Sequence, residues 1–412
     1  GQGSSEGPSD SGSKTTGKGG SSTAASSDQQ PGGDTPASEE GAGGGGIGSP
    51  KTEQLDSLNE PGADKANLDY ANQTTDMVLE YLENQIDRGG IDADLKKQFG
   101  FKHVHLTNSC TASMEICALM LGFKRNDEVL MPSYNYNTTA SSFVRTGCKI
   151  RYCDIKKDNL MPSFDDFKKN VNKNTKAIVV IHMQGLGVDY LDKLKNFCIK
   201  KKIYLIEDAA PALGTYVNKK PVGSFGDFAT FSFHETKNYQ SGIGGLLVVN
   251  NKKFRKKSDL VFDKGTDRTY VVSDPNYHKK YYSWVELGSC FRLPELNASF
   301  LQPQINDITK VINYREKLFK RYYENFSLWL NDEFRICNKY EHKDKYNYHA
   351  FTIILKQNER EKFLKYLKRN NIIAFISFEA LHLSKMGKKW VTKNTKLKNT
   401  NEIIKKIVRL PM

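Results

Sequence analysis

The fold is decided by residues 226–250, which read GDFATFSFHETKNYQSGIGGLLVVN. The segment Phe228–Phe233 combines aromatic and small residues, which is typical of a buried strand, and Leu246–Val249 predicts a second one. Between them lies the polar segment His234–Ser241, which contains Lys237 and is followed by glycines at 242, 244 and 245. Because a lysine on a short turn between two buried strands is held by the core, we expect Lys237 to be partly removed from water.

Such a lysine is suited to covalent chemistry. Burial disfavours the charged form and lowers the pKa of the amine, and a neutral amine can attack a carbonyl. Pyridoxal 5′-phosphate (PLP) requires this of the lysine that carries it, and the neighbouring glycines would let a bulky cofactor approach the backbone. A surface lysine in a hairpin turn explains this stretch, taken alone, equally well.

Length and composition narrow the class of protein. A chain of 412 residues exceeds the usual size of a single core, so we expect two domains. The net charge of +14 is spread over lysine-rich stretches, which indicates solvated faces and an anionic small substrate and not nucleic acid. Seven scattered cysteines without a CxxC pair suit the reducing cytoplasm and argue against a disulfide framework or a metal site. No apolar run is long enough for a membrane span, and no signal-peptide core is seen at the N-terminus.

The order of predicted elements indicates an α/β fold. Residues 1–66 read as a disordered Gly/Ser-rich tail, and a helix is predicted over Met77–Asp87. Strands and helices then alternate, which predicts a mainly parallel central sheet with flanking helices. We expect a large domain over 67–270 and a small α+β domain over 271–412 that looks truncated. The predicted strands are His103–Thr107, Glu128–Met131, Lys149–Cys153, Ala177–His182 and Ile203–Ile206, and the predicted helices are Ala112–Leu121, Thr138–Arg145 and Asp189–Lys200.

Polar segments follow several of these strands, and ligands of such sheets bind beyond the carboxyl ends of the strands. Ser109 and Thr111 lie where a strand becomes a helix, so free N–H groups could hold a phosphate there, although an ordinary helix cap also fits. Tyr134 and Tyr136 could place a ring against a flat ligand, or could pack at a domain edge.

The third strand end contains Asp208. A carboxylate at the buried end of a sheet is costly without a partner. A pyridinium nitrogen would provide one, and the carboxylate would keep the ring protonated. A salt bridge to another strand-end cation is the alternative. Since Lys237 follows 29 residues later, we favour the cofactor.

Together the motifs resemble those of the DegT/DnrJ/StrS sugar-nucleotide aminotransferases, which are PLP enzymes of fold type I. The motifs are SCTAS (109–113), MPSYNY (131–136), EDAA (207–210), SFHETKNY (232–239), KGTDR (264–268) and WVELGS (284–289). The resemblance runs from about Leu95 to the C-terminus. It implies an enzyme that transfers an amino group from glutamate to C4 of a nucleotide-linked 4-keto-6-deoxy sugar, in a homodimer with sites at the interface.

The resemblance also implies a role for each motif residue. Lys237 would carry the cofactor and shuttle the proton, Asp208 would pair with the pyridinium nitrogen, and Tyr136 would stack on the ring. Cofactor contacts would also come from Ser109, Cys110, Thr111, Ala210 and Ser232, and substrate contacts from His234, Asn238, Tyr239, Lys264 and Arg268.

Several positions depart from the family pattern. Pro211 stands where Gln is common, and Ile243 lies near the place of a Glu. Residues 88–92, RGGID, are the best candidate for the glycine-containing substrate loop. A long helix, Pro294–Phe326, is expected to kink at Pro303. The alternative function is therefore a weakened relative that binds a sugar nucleotide or regulates a partner.

The C-terminal part is predicted to form a lid over the sugar. It contains the predicted strands Ala350–Leu355 and Ile372–Ile376 and the helix Glu359–Arg369. His349 and His382 could face the cleft, although a surface or core position is the more ordinary one for a histidine.

Overall fold

The computed structural model describes residues 76, 90–273, 276, 278–331, 334–337, 345–356, 358–392 and 396–412. The predicted tail over 1–66 and the predicted helix Met77–Asp87 lie outside these residues. The described residues after position 89 belong to one compact unit. The boundary at 270/271 stays a prediction.

A seven-stranded sheet forms the centre of the protein, as predicted. Its order is β1-β9-β8-β5-β4-β2-β3, and every neighbouring pair is parallel except those made by β9. The strands β4 and β5 are almost fully buried and rich in Val, Ile and Leu, as expected of a parallel sheet covered on both faces. In chain order the strands are β1 (Val104–Thr107), β2 (Glu128–Pro132), β3 (Lys149–Cys153), β4 (Thr175–Ile181), β5 (Tyr204–Asp208), the small hairpin β6 (Tyr216–Val217) and β7 (Lys220–Pro221), β8 (Phe228–Ser232) and β9 (Gly245–Val249).

Helices cover this sheet, and their ends follow from local sequence. Ser109 caps the second helix with its hydroxyl, and Gly122 ends it in the left-handed conformation. Ser163 and Asp166 form a capping box at the fourth helix. The helices are α1 (Gly90–Phe99), α2 (Cys110–Leu121), α3 (Asn137–Val144), α4 (Phe164–Asn170), α5 (Leu191–Lys201), α6 (Arg255–Phe262) and α7 (Arg268–Ser273).

The proposed substrate loop at 88–92 is wrong for its described part, because Gly90 begins helix α1. Ile91, Leu95 and Phe99 recur every four residues and are buried on one face of that helix. This apolar period, and not the two glycines, decides the local structure.

The C-terminal part contains a three-stranded antiparallel sheet and five helices among the residues described. The sheet order is β10-β11-β12. None of the described helices has the length and apolar character needed to cross a membrane. The elements are α8 (Glu295–Asn306), α9 (Ile308–Ser327), β10 (Arg335–Ile336), β11 (Phe351–Ile354), α10 (Arg360–Arg369), α11 (Lys385–Trp390), α12 (Lys398–Ile403) and β12 (Ile407–Leu410).

Two predictions in this part are wrong. The long helix continues through Pro303 and breaks at Asp307, where the backbone leaves the helical region (φ −98°, ψ 16°). The predicted strand Ile372–Ile376 is reduced to a single bridge between Phe375 and Arg409. Its apolar residues are largely exposed (Ile373 69 %), so burial does not stabilise an extended partner strand there.

Candidate functional site

The carboxyl ends of β1, β5 and β8 lie at one edge of the central sheet. The strands β1 and β8 both run antiparallel to β9, and β8 runs parallel to β5. Asp208 pairs with Thr230, and Ser232 pairs with Gly245. The turn that contains Lys237 connects β8 to β9 at this same edge. The topology therefore brings together three motifs that are far apart in sequence.

Lys237 is half-buried on a turn that is held by its own backbone. The Lys237 N–H donates to the His234 carbonyl (2.9 Å), and the Ser241 N–H donates to the Phe233 carbonyl (2.8 Å). Burial, and then the positive charge of Arg409, lower the pKa of Lys237. Cys110 and Asp208 act in the opposite direction. A larger fraction of the amine is therefore neutral and nucleophilic than in water.

Asp208 is a buried carboxylate without a cationic partner among the residues described. Its Oδ2 accepts a hydrogen bond from the Thr139 hydroxyl (2.7 Å), and its Oδ1 accepts one from the Ala210 N–H (3.2 Å). Burial raises the pKa of Asp208, and these hydrogen bonds only reduce the effect. A cation that enters beside this carboxylate would be stabilised by it.

The N-terminus of helix α2 forms an anion cradle next to these groups. The Ser109 hydroxyl accepts from the Ala112 N–H (3.0 Å), whereas the Cys110 and Thr111 N–H groups have no acceptor among the described residues. Burial, and then Asp208, raise the pKa of the Cys110 thiol, which therefore stays protonated. Its contribution to an anion would come from the backbone.

Gly245 is what allows the start of β9 and the N-terminus of α2 to meet. A Cβ at Gly245 would lie 2.4 Å from the Cys110 nitrogen and 2.4 Å from the Ser109 carbonyl carbon. Ser232, its cross-strand partner, is thereby placed beside the cradle. The sequence predicts that the glycines admit a cofactor, whereas at position 245 the lack of a side chain is required by protein backbone.

The residues present fit PLP. The Lys237 amine, whose pKa is lowered, can bond to the PLP aldehyde, and the buried Asp208 carboxylate can face the pyridinium nitrogen. The free N–H groups at the start of α2 can hold the phosphate. Asn135, whose Oδ1 is 3.5 Å from the Thr139 hydroxyl, has a buried Nδ2 without a partner among the described residues.

Two further predicted cofactor residues lie at the same edge. Tyr136 is exposed (55 %) and contacts the Phe378 ring edge-on at 5.8 Å, which leaves ring surface free for a flat ligand. Ala210 acts through its backbone, because its N–H bonds to Asp208 and its carbonyl accepts from the Ser232 N–H (3.2 Å).

The predicted substrate residues separate into two groups. Asn238 lies beside Lys237 and bonds to His349 (2.9 Å), and His234 is exposed on the same turn. Tyr239 is buried (2 % exposed) and its hydroxyl donates to the Ile308 carbonyl (3.3 Å), so it anchors the turn to α9.

Lys264 and Arg268 are not joined to this site within the chain. Lys264 pairs with Asp263 (3.0 Å). Arg268 is exposed at the first position of α7, and it makes no hydrogen bond or ion pair with a described residue.

Three site residues were not found from the sequence. Thr139 follows the motif MPSYNY, and nothing in the sequence indicates that it contacts Asp208. His349 is buried (3 % exposed) and contacts Asn238, next to Lys237. Arg409 lies near the end of the chain, and no pattern in the sequence indicates that it lies close to Lys237.

One group of possible metal ligands exists among the described residues, namely His103, His105 and Asp259. These groups already bond to protein atoms: His103 Nε2 to Asp259 (2.8 Å) and His105 Nε2 to the Ser258 hydroxyl (2.9 Å). That the protein uses no metal stays a prediction.

Comparison with known proteins finds the family that the motifs resemble. The model of the DegT/DnrJ/EryC1/StrS aminotransferase family matches residues 76–412. The GDP-perosamine synthase of Vibrio cholerae is 28% identical over 312 residues, which cover 71% of this chain and 79% of that protein.

Solved structures agree with the fold. The aminotransferase TlmJ from Streptoalloteichus hindustanus aligns with a TM-score of 0.72 at 20% identity, covering 82% of this chain and 90% of that one. Helicobacter pylori PseC, an aminotransferase of pseudoaminic acid biosynthesis, aligns with a TM-score of 0.71 at 22% identity and the same coverage. The predicted fold-type-I architecture is confirmed.

Proposed function

Because the chain belongs to the DegT/DnrJ/EryC1/StrS aminotransferase family, whose members use PLP, we propose that it aminates a nucleotide-linked keto-sugar. The observation that carries the proposal is the pair Lys237 and Asp208. The half-buried amine and the buried, unpaired carboxylate lie at one sheet edge, and each acts on the pKa of the other.

When bound, PLP supplies an electron sink that makes the proton on the carbon next to the reacting nitrogen labile. Asp208 would hold the pyridinium nitrogen in its protonated form. Nζ of Lys237 would bond to the cofactor at rest and, once displaced, would accept the proton from Cα of glutamate. In the second half it would deliver a proton to C4 of the sugar.

The remaining residues would bind and orient. The Cys110 and Thr111 N–H groups and the Ser109 and Ser232 hydroxyls would hold the phosphate, and the Tyr136 ring would cover one face of the cofactor. The overall reaction is balanced: glutamate and keto-sugar give 2-oxoglutarate and amino-sugar, with the amine replacing the carbonyl oxygen at C4.

The sugar we propose is dTDP-4-dehydro-6-deoxyglucose, which would be converted to dTDP-4-amino-4,6-dideoxygalactose for a surface polysaccharide or glycan. The SFHETKNY form around Lys237 supports this choice, and the net charge of +14 suits a diphosphate substrate. The relative in Vibrio cholerae is named for a GDP-sugar, so the base is the least supported part of the proposal. We place the enzyme in the cytoplasm, without nucleic-acid or membrane partners.

We also propose a homodimer whose interface includes the exposed apolar surface around Trp284. Tyr281, Trp284 (75 % exposed) and Leu287 are all largely exposed there. Lys264 and Arg268 lie on the segment that precedes this surface, so they would also lie at the interface. From there each would reach the site of the partner subunit. This would explain why neither contacts Lys237 within its own chain.

Two other functions are considered. A sugar dehydratase of the same fold has histidine in place of the lysine, so Lys237 argues against it. A weakened relative is the alternative that Pro211 motivates, because proline offers no side-chain hydrogen bond at this position.

The proposal is tested by incubating purified protein with PLP, glutamate and keto-sugar, and by comparing wild type with Lys237→Ala and Lys405→Ala. Lys405 is exposed and serves as the matched control. We expect visible absorbance and amine transfer in wild type and Lys405→Ala, and no transfer in a folded Lys237→Ala. A colourless wild type that still binds the dTDP-sugar would support the binding protein instead.

A further inference from the structure

Arg409 lies beside the Lys237 turn and is firmly positioned. In β12 it pairs with Thr352 on one side and with Phe375 on the other. Its backbone exchanges hydrogen bonds of 2.7 and 2.9 Å with Phe375. The side chain is half-buried, and its Nη2 lies 3.3 Å from Nε2 of His349. The strand therefore fixes one end of this side chain and His349 the other.

His349 connects Arg409 to the catalytic turn in a defined protonation state. Nδ2 of Asn238 donates to the Asn347 carbonyl (2.7 Å), so its Oδ1 is the atom that accepts from His349 Nδ1 (2.9 Å). The proton of His349 is then on Nδ1, and Nε2 accepts from Arg409. Burial and neighbouring cations hold the pKa of His349 well below its usual value, in agreement with a neutral ring.

Arg409 has no anionic partner among the described residues, because none of their carboxylate oxygens lies within 4.0 Å of its guanidinium nitrogens. Its charge instead lowers the pKa of two other cations, Lys237 and Arg315. The Arg315 donors are used by the carbonyls of Tyr348 and His349, at 2.9 and 2.7 Å. A guanidinium withdrawn from water beside other cations is costly until an anion joins it.

We propose that Arg409 binds a carboxylate of the amino-acid donor and so places the donor amine next to Lys237. The inference rests on the proposed function, in which the donor is glutamate. The planar guanidinium matches a carboxylate with two parallel hydrogen bonds. A nucleotide sugar carries its charge on the diphosphate at C1, away from the reacting C4, so a carboxylate beside the lysine is best supplied by the donor.

The test measures binding of glutarate, which is glutamate with its amino group replaced by hydrogen. Isothermal titration compares wild type, Arg409→Gln, Arg409→Lys and Arg369→Gln, each without and with PLP. Arg369 is an exposed arginine of α10 and serves as the matched control. We expect affinity to fall about tenfold or more in Arg409→Gln and less in Arg409→Lys. Arg369→Gln should bind glutarate, and all variants should bind the nucleotide sugar, as wild type does.

Unchanged glutarate affinity in Arg409→Gln overturns the inference, as does a wild type that binds no glutarate. Weaker binding of the nucleotide sugar with unchanged glutarate affinity also overturns it, since the anion would then belong to the sugar. If circular dichroism shows that Arg409→Gln is unfolded, the comparison of wild type with Arg409→Lys decides. A wild type that takes up no PLP would contradict the proposed function, and the cofactor-free titration would still decide the role of Arg409.

Discussion

Thr139 donates a 2.7 Å hydrogen bond to Oδ2 of Asp208, across 69 residues of sequence. Thr139 lies in helix α3 after β2, and Asp208 ends β5. The bond is buried and lowers the pKa of Asp208 against the larger effect of burial. Thr139 is therefore the residue that helps keep this carboxylate ionised for a cationic ring.

Replacing Thr139 by Val removes this donor and keeps the shape of the side chain. We expect the cofactor-free protein to lose about 1–3 kcal/mol of unfolding free energy, because a buried acceptor loses its partner. PLP affinity, followed by absorbance titration, should fall as well. Thr138→Val, on the neighbouring half-buried residue, is the control. Equal PLP affinity in the two variants would show that Thr139 does not support the site.

The raised pKa of Asp208 predicts how cofactor-free stability depends on pH. Its folded pKa lies above the ordinary value of 3.8, so the stability that this group contributes is present below that value and is lost as pH rises through the folded pKa. Asp208→Asn should therefore match wild type in acid and exceed it by about 1–3 kcal/mol near neutral pH. Chemical denaturation over this range measures the difference.

Asp189→Asn, at an exposed position, serves as the control. With PLP bound, the order should reverse, because Asp208→Asn no longer stabilises the pyridinium. A constant difference between Asp208→Asn and wild type at all pH values would mean that Asp208 titrates normally.

Gly245→Ala should disrupt the phosphate cradle. The new Cβ would meet backbone atoms of Ser109 and Cys110 at 2.4 Å, and neither strand β9 nor helix α2 can move without breaking its own hydrogen bonds. We expect a loss of about 2–4 kcal/mol in stability and of most PLP affinity. Gly242→Ala, where φ is +72° but the space is open, should cost only about 1 kcal/mol. Equal losses would contradict the close contact.

Removal of the Arg409 charge should change the reactivity of Lys237 in the cofactor-free protein. Since Arg409 lowers the pKa of Lys237, Arg409→Gln should raise it and shift the pH profile of amine labelling at Lys237 toward higher pH. Peptide mass spectrometry after timed labelling measures the profile. Arg369→Gln should leave it unchanged, and an unshifted profile in Arg409→Gln would contradict the electrostatic coupling.

The sheet and the strand-end residues could be predicted because their signals are local. Buried parallel strands such as Thr175–Ile181 are short apolar runs, and the polar residues that follow them meet at one edge whatever the details of packing. Lys237, Asp208 and Ser109 were found in this way.

The remaining features depend on tertiary contacts that no local pattern records. Arg409 reaches the site only because β12 pairs with β11. Phe375 makes only a single β-bridge, to Arg409, because solvent surrounds it. The glycines at 89–90 favour a loop, but a helix forms because it buries Ile91, Leu95 and Phe99 on one face. Thr139 lies just after the motif MPSYNY, yet its hydrogen bond depends on the placement of β5 beside β4 and β2.

The most direct test of the pairing of Lys237 with PLP is to reduce the PLP-treated protein with borohydride and to map the modified peptide by mass spectrometry. A single modified lysine at position 237, absent from Lys237→Ala and present in Lys405→Ala, is the predicted result. Modification of another lysine, or none at all in protein that is folded and PLP-treated, would contradict the account.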